Sequence, residues 1–417
     1  MTTHIILEAL IKIAIILGGL MTAAAYFVLL ERRMAAWVQD RIGPNRVGIP
    51  GTKIRLFGLG QPLADGIKFI LKEEYTPAHV NKALYLLAPI VILTAALTTF
   101  VVIPMGSLIP TFKIGPVDTR GPVELIASPG IDVGLILIFA LSSIAVYGVI
   151  LGGWSSNNKY SFLGGLRSSA QLIAYELPLS LGILGVVLAA GSLDIDAITR
   201  AQAYQGWYAF LQPLGFVVFL IAAFAEASRL PFDLPEAEQE LIGGYHTEYA
   251  GMKLLLFLVA EFLHMIAASF LIVQLFLGGW HLPFVTTPGG DGTGPEQITW
   301  LQALLRIVIL QGKIFAVIVF FMLVRWSWPR FRFDQLMALA WKIMLPLGIL
   351  NLVAVAVVQE IGHANDWQGS LEWTVVAMAV GWAVLIGGWL AVAFANPLVT
   401  DNRPRRDIAS AEVDAQI

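Results

Sequence analysis

Long apolar runs recur along the whole chain and are separated by polar connections. The runs are continuous instead of alternating, which favours helices over the strands of a membrane barrel. Because backbone polar groups inside hydrocarbon must pair within their own segment, runs of this length predict transmembrane helices. The predicted helices lie near Ile5–Leu30, Ala83–Met105, Ile131–Trp154, Gln171–Gly191, Phe210–Ala225, Met252–Leu277, Leu301–Val324, Leu339–Val358 and Trp373–Phe394.

The pattern predicts an all-α integral membrane protein, a polytopic helical bundle of about nine transmembrane helices. No internal repeat divides the chain, so residues 1–417 are expected to form a single membrane domain. The fifth helix, near Phe210–Ala225, is the shortest of the nine.

Composition agrees with this fold class. Hydrophobic residues make up 57% of the 417 residues and charged residues 13%, about half the charged share of soluble domains. The absence of cysteine excludes Cys-ligated iron–sulfur clusters and thiolate zinc sites within the chain. The six histidines show no metal-ligand spacing, and no phosphate loop is present, so we expect no cofactor bound by this chain alone.

Basic residues are distributed unevenly between alternate connections. Of 26 Lys and Arg, 18 lie in 31–82, 155–170, 226–250, 325–337 and the tail from Asn396, and 3 lie in the opposite connections. Positive residues favour the cytoplasmic side. The N-terminus is therefore expected to face outward, with the long loops and C-terminal tail in the cytoplasm.

The long connection 31–82 is basic and carries a turn signal at Gly43-Pro44-Asn45. Ala64 to Leu71 has the spacing of an amphipathic helix at the membrane interface. On composition alone, a stop-transfer loop that touches anionic lipid explains this connection as well.

The connection 226–250 is acidic. Pro235 suits the first turn of a helix, on which Glu236 and Glu240 would share a face while Glu238 points away. Close like charges raise one another's pKa, and burial raises it further, so such carboxyls can pass protons or sense charge. A solvated acidic loop is the alternative interpretation.

Several ionisable residues fall inside predicted helices, where an isolated charge costs roughly 2.5–3.5 kcal/mol or more. Glu176 and Glu261 are the candidates for a proton route. Arg306 and Lys313, seven residues apart, share a helix face. Aromatic and basic residues from Trp326 to Leu336 suit an interfacial anchor, in which Arg330 and Arg332 could also hold a polar head group or the acidic loop.

From about Glu31 to Leu347 the sequence resembles the family of membrane H subunits of NADH:quinone oxidoreductases (respiratory complex I). The segments that carry the resemblance are Glu31-Arg32-Arg33, Gln39 through Gly48, Gln61 through Lys68, Ser169-Ala170-Gln171, Tyr175 through Pro178, Pro231 through Glu240, Gly244-Tyr245, Glu248-Tyr249, Gly251-Met252-Lys253, Ala260-Glu261, Phe276 through Trp280 and Pro329 through Lys342.

The resemblance implies a membrane subunit that builds much of a quinone chamber beneath a peripheral arm and links quinone reduction to proton translocation. Residues expected to line or shape the quinone path are Arg32, Arg41, Asp65, Arg330 and Arg332. Carboxylates expected near the chamber are Glu226, Asp233, Glu236, Glu238, Glu240 and Glu248. Glu176 and Glu261 would continue a carboxylate chain toward antiporter-like subunits.

The resemblance also implies the setting. NADH, FMN and iron–sulfur clusters would belong to partner subunits, quinone would be the substrate, and membrane lipid but no nucleic acid would be a partner. The location would be the cell inner membrane. The family core would span 31–358, and residues 359–417 would add a ninth helix and tail of unassigned function.

Three other hypotheses remain open from the residues. The chain could be the equivalent subunit of a membrane-bound hydrogenase or formate-linked complex, against which the Gly43-Pro44-Asn45-Arg46 loop argues. A stand-alone cation/proton antiporter would fold around broken helices at mid-membrane, and no pair of them is evident. A passive anchor would tolerate Glu176→Gln.

Overall fold

The computed structural model describes residues 2–48, 55–110, 113–114, 117–118, 123–233, 242–283, 285–286, 299–365, 367 and 370–395. Thirteen α-helices lie in these ranges: α1 Thr2–Val38, α2 Gln61–Leu71, α3 Lys82–Thr98, α4 Gly134–Ser155, α5 Lys159–Ala190, α6 Ile195–Gln205, α7 Tyr208–Leu211, α8 Pro213–Glu226, α9 Gly251–Phe276, α10 Trp300–Ser327, α11 Phe333–Ala338, α12 Leu345–Ala364 and α13 Leu371–Ala395. A short antiparallel pair, β1 Lys113–Ile114 and β2 Val117–Asp118, lies between α3 and α4.

The predicted polytopic helical fold is confirmed. Within the described residues, eight helices are long and apolar enough to cross a membrane, and α8 is a shorter apolar helix in the position of the predicted fifth. In the most apolar 18-residue stretch of α9, 72% of the residues are buried, whereas in that of α13 only 6% are buried. Helix α9 therefore lies at the centre of the bundle and α13 at its periphery.

Hydrogen bonds between connections show that the connections lie at two ends of the bundle. At one end, the loop face, Asn157 donates to the carbonyl of His79 and Lys253 donates to Thr76. At the other end, the opposite face, Gln274 donates to the carbonyl of Pro104. The loop face gathers the basic connections, so alternate connections do lie on opposite sides of the bundle.

Two helices extend beyond the predicted bounds because small and polar residues continue their packed faces. Helix α1 ends at Val38 instead of Leu30, since Met34, Ala35 and Ala36 remain buried after Glu31. Helix α5 begins at Lys159 instead of Gln171, with the Asn158 side chain accepting a hydrogen bond from the Tyr160 amide.

Two predicted spans are irregular. The fifth is divided at Gln212, which has φ −133° and ψ 62° between α7 and α8. The eighth begins at Phe333 and passes through a π-helical segment, Leu339–Met344, before α12. Its continuous helical length of 32 residues exceeds the predicted Leu339–Val358.

Candidate functional site

Arg32 and Asp65 meet at the loop face, although 33 positions separate them in the chain. Arg32 Nη1 lies 2.6 Å from Asp65 Oδ2, and Lys68 Nζ lies 3.4 Å from Asp65 Oδ1. Gln61 also donates to Asp65 across 3.2 Å. Helix α2 presents these groups on one face, as the amphipathic spacing predicted. Asp65 thus joins α2 to the end of α1.

The electrostatics of Asp65 favour its ionised form. Partial burial raises the pKa of this carboxyl, but the hydrogen bond from Gln61 and the positive charge of Arg32 outweigh burial, and the pKa falls below its ordinary 3.8. A lowered pKa means that the ion pair persists at neutral pH. The pair is lost only as the pH falls through that lowered pKa.

Glu31, beside Arg32, is held by two arginines from distant segments of the chain. Arg229 Nη1 lies 3.3 Å from Glu31 Oε2, and Arg325 Nη1 pairs with Glu31 Oε1. The Arg229 guanidinium also stacks over the Phe262 ring, 4.3 Å from its centroid. Glu31 and Arg229 are both buried. Because breaking a buried ion pair leaves an uncompensated charge, this cluster fixes the ends of α1, α8 and α10 together.

The segment between α10 and α11 packs on the start of the acidic connection. Arg330 Nη2 lies 3.0 Å from Asp233 Oδ2, and the Phe331 amide donates to the carbonyl of Pro231. The rings of Phe232 and Phe331 stack with centroids 5.5 Å apart. The predicted contact of Arg330 with the acidic connection is present, and its roles as an interfacial anchor, a head-group ligand and a quinone-path residue stay predictions.

Three buried or half-buried carboxylates line one cavity inside the loop-face half of the bundle. Its walls include Glu176 on α5, Glu226 on α8 and Glu261 on α9. Neutral groups bind the three: Ser143 donates to Glu176, Ser142 donates to Glu226, and Tyr245 donates to Glu261 across 3.2 Å. We name this space the carboxylate cavity.

His264 also lines the carboxylate cavity, one turn from Glu261 on α9. A histidine within a membrane helix can be either a proton relay or a satisfied core residue. Its position places an imidazole beside three carboxylates.

Glu248 lies apart from the carboxylate cavity. Asn158 donates to its carboxylate across 2.6 Å, and Tyr85 donates to its backbone carbonyl. The adjacent Tyr249 ring stacks on Tyr85 with centroids 4.1 Å apart. Glu248 therefore joins the starts of α3 and α5 at the loop face.

Two predicted quinone-path residues are exposed at the loop face. Arg41 donates to Gln39 across 2.7 Å, and the Arg332 amide donates to Gln335 as α11 begins. Glu236, Glu238 and Glu240, with Pro235, lie outside the described residues. Their predicted raised pKa values and helical spacing stay predictions.

Sequence reasoning missed Arg229, Arg325 and the two serines of α4 that bind carboxylates. Arg229 and Glu31 are 198 positions apart, so no spacing rule connects them. A usable signal was present for the serines. Ser142 and Ser143 are polar residues in the otherwise apolar run of α4, and such residues tend to bond across helices.

Comparison with known proteins agrees with the sequence resemblance. The NADH dehydrogenase family matches residues 11–356. A protein of Cytophaga hutchinsonii, named as an H subunit of NADH-quinone oxidoreductase, is 44% identical over 348 residues, which cover 84% of this chain and 95% of the relative. Rhodothermus marinus has an NADH-quinone oxidoreductase subunit 8 that is 44% identical over 82% of this chain and 94% of its own. An H subunit of the same enzyme from Geobacter metallireducens is 45% identical over 82% of this chain and 94% of its own.

Proposed function

Since the chain belongs to the NADH dehydrogenase family, as an H subunit of NADH-quinone oxidoreductase that is not catalytic alone, we propose that its loop face forms part of a quinone chamber. The chamber would be coupled to proton translocation through the carboxylate cavity. The names of the relatives favour this function over a hydrogenase-linked subunit or an independent antiporter.

One observation supports the proposal most directly: an arginine in the ion pairs of the loop face is the next residue in the chain after three that line the carboxylate cavity. Glu226, Ala227 and Ser228 line the cavity, and the next residue, Arg229, binds Glu31. Gln171 supports this connection, because its amide donates to the carbonyls of Ala225 and Phe232. A change of charge at the loop face that shifts Arg229 would therefore also shift the neighbouring residues of the cavity wall.

The chemistry of the two regions suits such coupling. Quinone reduction creates negative charge or draws protons, and Arg32, Lys68 and Asp65 offer charged groups at the loop face to respond to it. In the cavity, carboxylates bound by hydroxyl groups can take up or release protons as a coupled set. Glu176 and Glu261 would pass the response toward antiporter-like subunits.

The wider setting belongs to the same proposal. Arg41 and Arg332 would line the quinone path, and Asp233 and Glu248, with Glu236, Glu238 and Glu240, would lie around it. Partner subunits would carry NADH, FMN and iron–sulfur clusters, and peripheral-arm subunits would cover the loop face. The protein would lie in the cell inner membrane with its N-terminus outward.

Asp65→Asn tests the quinone path because it removes the carboxylate charge that Arg32 contacts at 2.6 Å. In membranes that hold the assembled complex, we expect NADH:quinone reductase activity to fall up to about fivefold, the effect of losing ~1 kcal/mol from a partly exposed ion pair. NADH:ferricyanide reductase activity, which needs only the peripheral arm, is expected to stay unchanged.

Asp196→Asn provides the matched control. Asp196 also pairs with an arginine, Arg200, 2.5 Å away, but lies on α6 toward the opposite face. We expect this variant to retain quinone reductase activity. Equal activity in the two variants on native-gel-verified complex would show that the Arg32–Asp65 pair has no part in quinone reduction.

A further inference from the structure

The fifth span contains a break in its helix. Helix α7 ends at Leu211, Gln212 is non-helical, and α8 begins at Pro213. At 1.5 Å per residue the 14 residues of α8 span about 21 Å, less than the roughly 30 Å of hydrocarbon. The break therefore begins inside the membrane thickness.

A contact with the neighbouring helix α12 also places the break well inside the membrane. Gly215, in the first turn of α8, donates its amide to Asn351 Oδ1 at 3.1 Å. Asn351 lies 13 positions before the end of α12 at Ala364, about 20 Å along that helix. Irregular backbone at such depth is tolerated only where protein covers it or where it lines a water-filled cavity.

Helix α13 covers the break. It packs against α7, α8 and α12, and a Cβ atom added at Gly381 would clash with the carbonyl oxygen of Leu211. Only glycine lets the α13 backbone approach this carbonyl so closely. The family match ends at residue 356, so α13 lies beyond it.

Behind α13 a pocket holds two amide atoms that have no hydrogen-bond partner among the described residues. Gln212 donates through Nε2 to the carbonyl of Gly185, which leaves its Oε1 as a free acceptor. Asn351 accepts from Gly215 through Oδ1, which leaves its Nδ2 as a free donor. The two side chains are only 5% and 3% exposed, so bulk solvent does not satisfy them.

The acceptor and the donor lie close together. Gln212 Oε1 and Asn351 Nδ2 are 2.7 Å and 2.8 Å from the point that a Cβ atom of Gly185 would occupy, so they are at most 5.5 Å apart. Two hydrogen bonds of about 2.8 Å that meet at one water oxygen near its tetrahedral angle span about 4.5 Å, which lies within this limit. A polar pocket with an unpaired donor and an unpaired acceptor is the setting in which proteins hold buried water.

We propose that α13 seals the break of the fifth span against lipid and bulk water, and that a water molecule bridges Gln212 and Asn351 behind it. Helix α13, which is the ninth span predicted from the sequence, then covers a hydrated polar site. This role does not depend on the quinone chamber.

Accessibility of Leu211 to a thiol reagent tests the seal. The chain has no cysteine, so Leu211→Cys gives the subunit one thiol, whose labelling can be read after the subunits are separated on a gel. In native membranes treated with N-ethylmaleimide, Leu211→Cys alone is expected to label slowly. Adding Gly381→Ala, which forces α13 off the carbonyl, is expected to speed labelling at least tenfold.

Gly387→Ala is the matched control on the same helix, because a Cβ atom there meets none of the described residues within 4 Å. We expect it to leave the labelling rate unchanged. The same rate in all three chains, or equal acceleration by both alanines, would refute the seal.

A second test uses the unmodified complex, so it does not depend on whether the Gly381→Ala variant assembles. A map at a resolution that shows ordered water should contain density within hydrogen-bond distance of both Gln212 Oε1 and Asn351 Nδ2. An acyl chain in that place, or a direct bond between the two amides, would overturn the bridging water.

Discussion

Lys313 lies on α10 beside the point where α9 ends, and its ammonium group donates to three backbone carbonyls. The acceptors are Leu277, Gly279 and His281, at 2.6, 3.0 and 2.6 Å. The Trp207 ring covers the same group, 4.3 Å from its centroid. A cation at this position binds carbonyls of the turn that follows α9 and opposes the negative end of the helix dipole.

Lys313→Met is therefore expected to destabilise the bundle. Losing the donor leaves carbonyls unsatisfied, which costs about 1–3 kcal/mol for a buried group. We expect the temperature at which half the complex survives heating of the membranes, measured on native gels, to fall by several degrees. Lys342→Met is the control, since Lys342 is exposed. Equal midpoints for the two variants would contradict this role.

The sequence showed that Lys313 and Arg306 share a helix face, but it could not identify their partners. Arg306 donates to Ser107 across 3.1 Å and lies over the Trp280 ring. The partners are backbone carbonyls, a hydroxyl group and aromatic rings from other segments, and no sequence spacing links such partners to a buried charge. Asp65 was easier, because its helical spacing with Lys68 identified the polar face of α2.

At the scale of elements, small residues determine how closely the helices approach. A Cβ atom at Gly164 on α5 would lie 2.7 Å from the backbone of Gly244, at the turn that carries Tyr245. Tyr245 in turn donates to Glu261 in the carboxylate cavity. The position of this turn therefore depends on the absence of a side chain at Gly164.

Gly164→Ala is expected to push the turn away and weaken the Tyr245–Glu261 contact. We expect lower NADH:quinone reductase activity and a lower thermal midpoint for the complex, with unchanged NADH:ferricyanide activity. Gly312→Ala makes the same substitution on α10, where a Cβ atom has none of the described residues within 4 Å. If Gly312→Ala impairs the complex as much as Gly164→Ala does, the close approach is not the cause.

The apolar runs predicted where the helices lie but not where some of them begin and end. The start of α5 was missed because Ser161, Gly164 and Ser168 read as polar or weakly helical, yet their small size allows the backbones to pack. The break at Gln212 was missed for the opposite reason. The residues on both sides of it are apolar, and the helix-start signal of Pro213 directly after Gln212 was not used.

At the scale of the whole molecule, distant segments meet to connect the loop face to the carboxylate cavity. Glu31 on α1 and Arg229 after α8 are buried, and they form one cluster with the half-buried Arg325 on α10. The cavity begins beside Arg229. Glu176 and Glu261 could be selected from sequence, since each is a carboxylate in an apolar helix. Their shared cavity with Glu226 could not, because residues of five helices, α3, α4, α5, α8 and α9, contribute its walls.

The central claim is that the carboxylate cavity couples quinone reduction to proton translocation, and Glu176→Gln tests it most directly. The substitution keeps the size of the side chain and removes its titratable proton. Glu360→Gln, at an exposed position on α12, makes the same chemical change away from the cavity. Proton pumping driven by NADH would be measured in vesicles that contain equal amounts of native-gel-verified complex.

We predict that Glu176→Gln abolishes most of the NADH-driven proton pumping while NADH:ferricyanide activity persists, and that Glu360→Gln pumps normally. Normal pumping and quinone reduction in the Glu176→Gln complex would contradict the proposal, and would leave the subunit as a passive anchor for its partners.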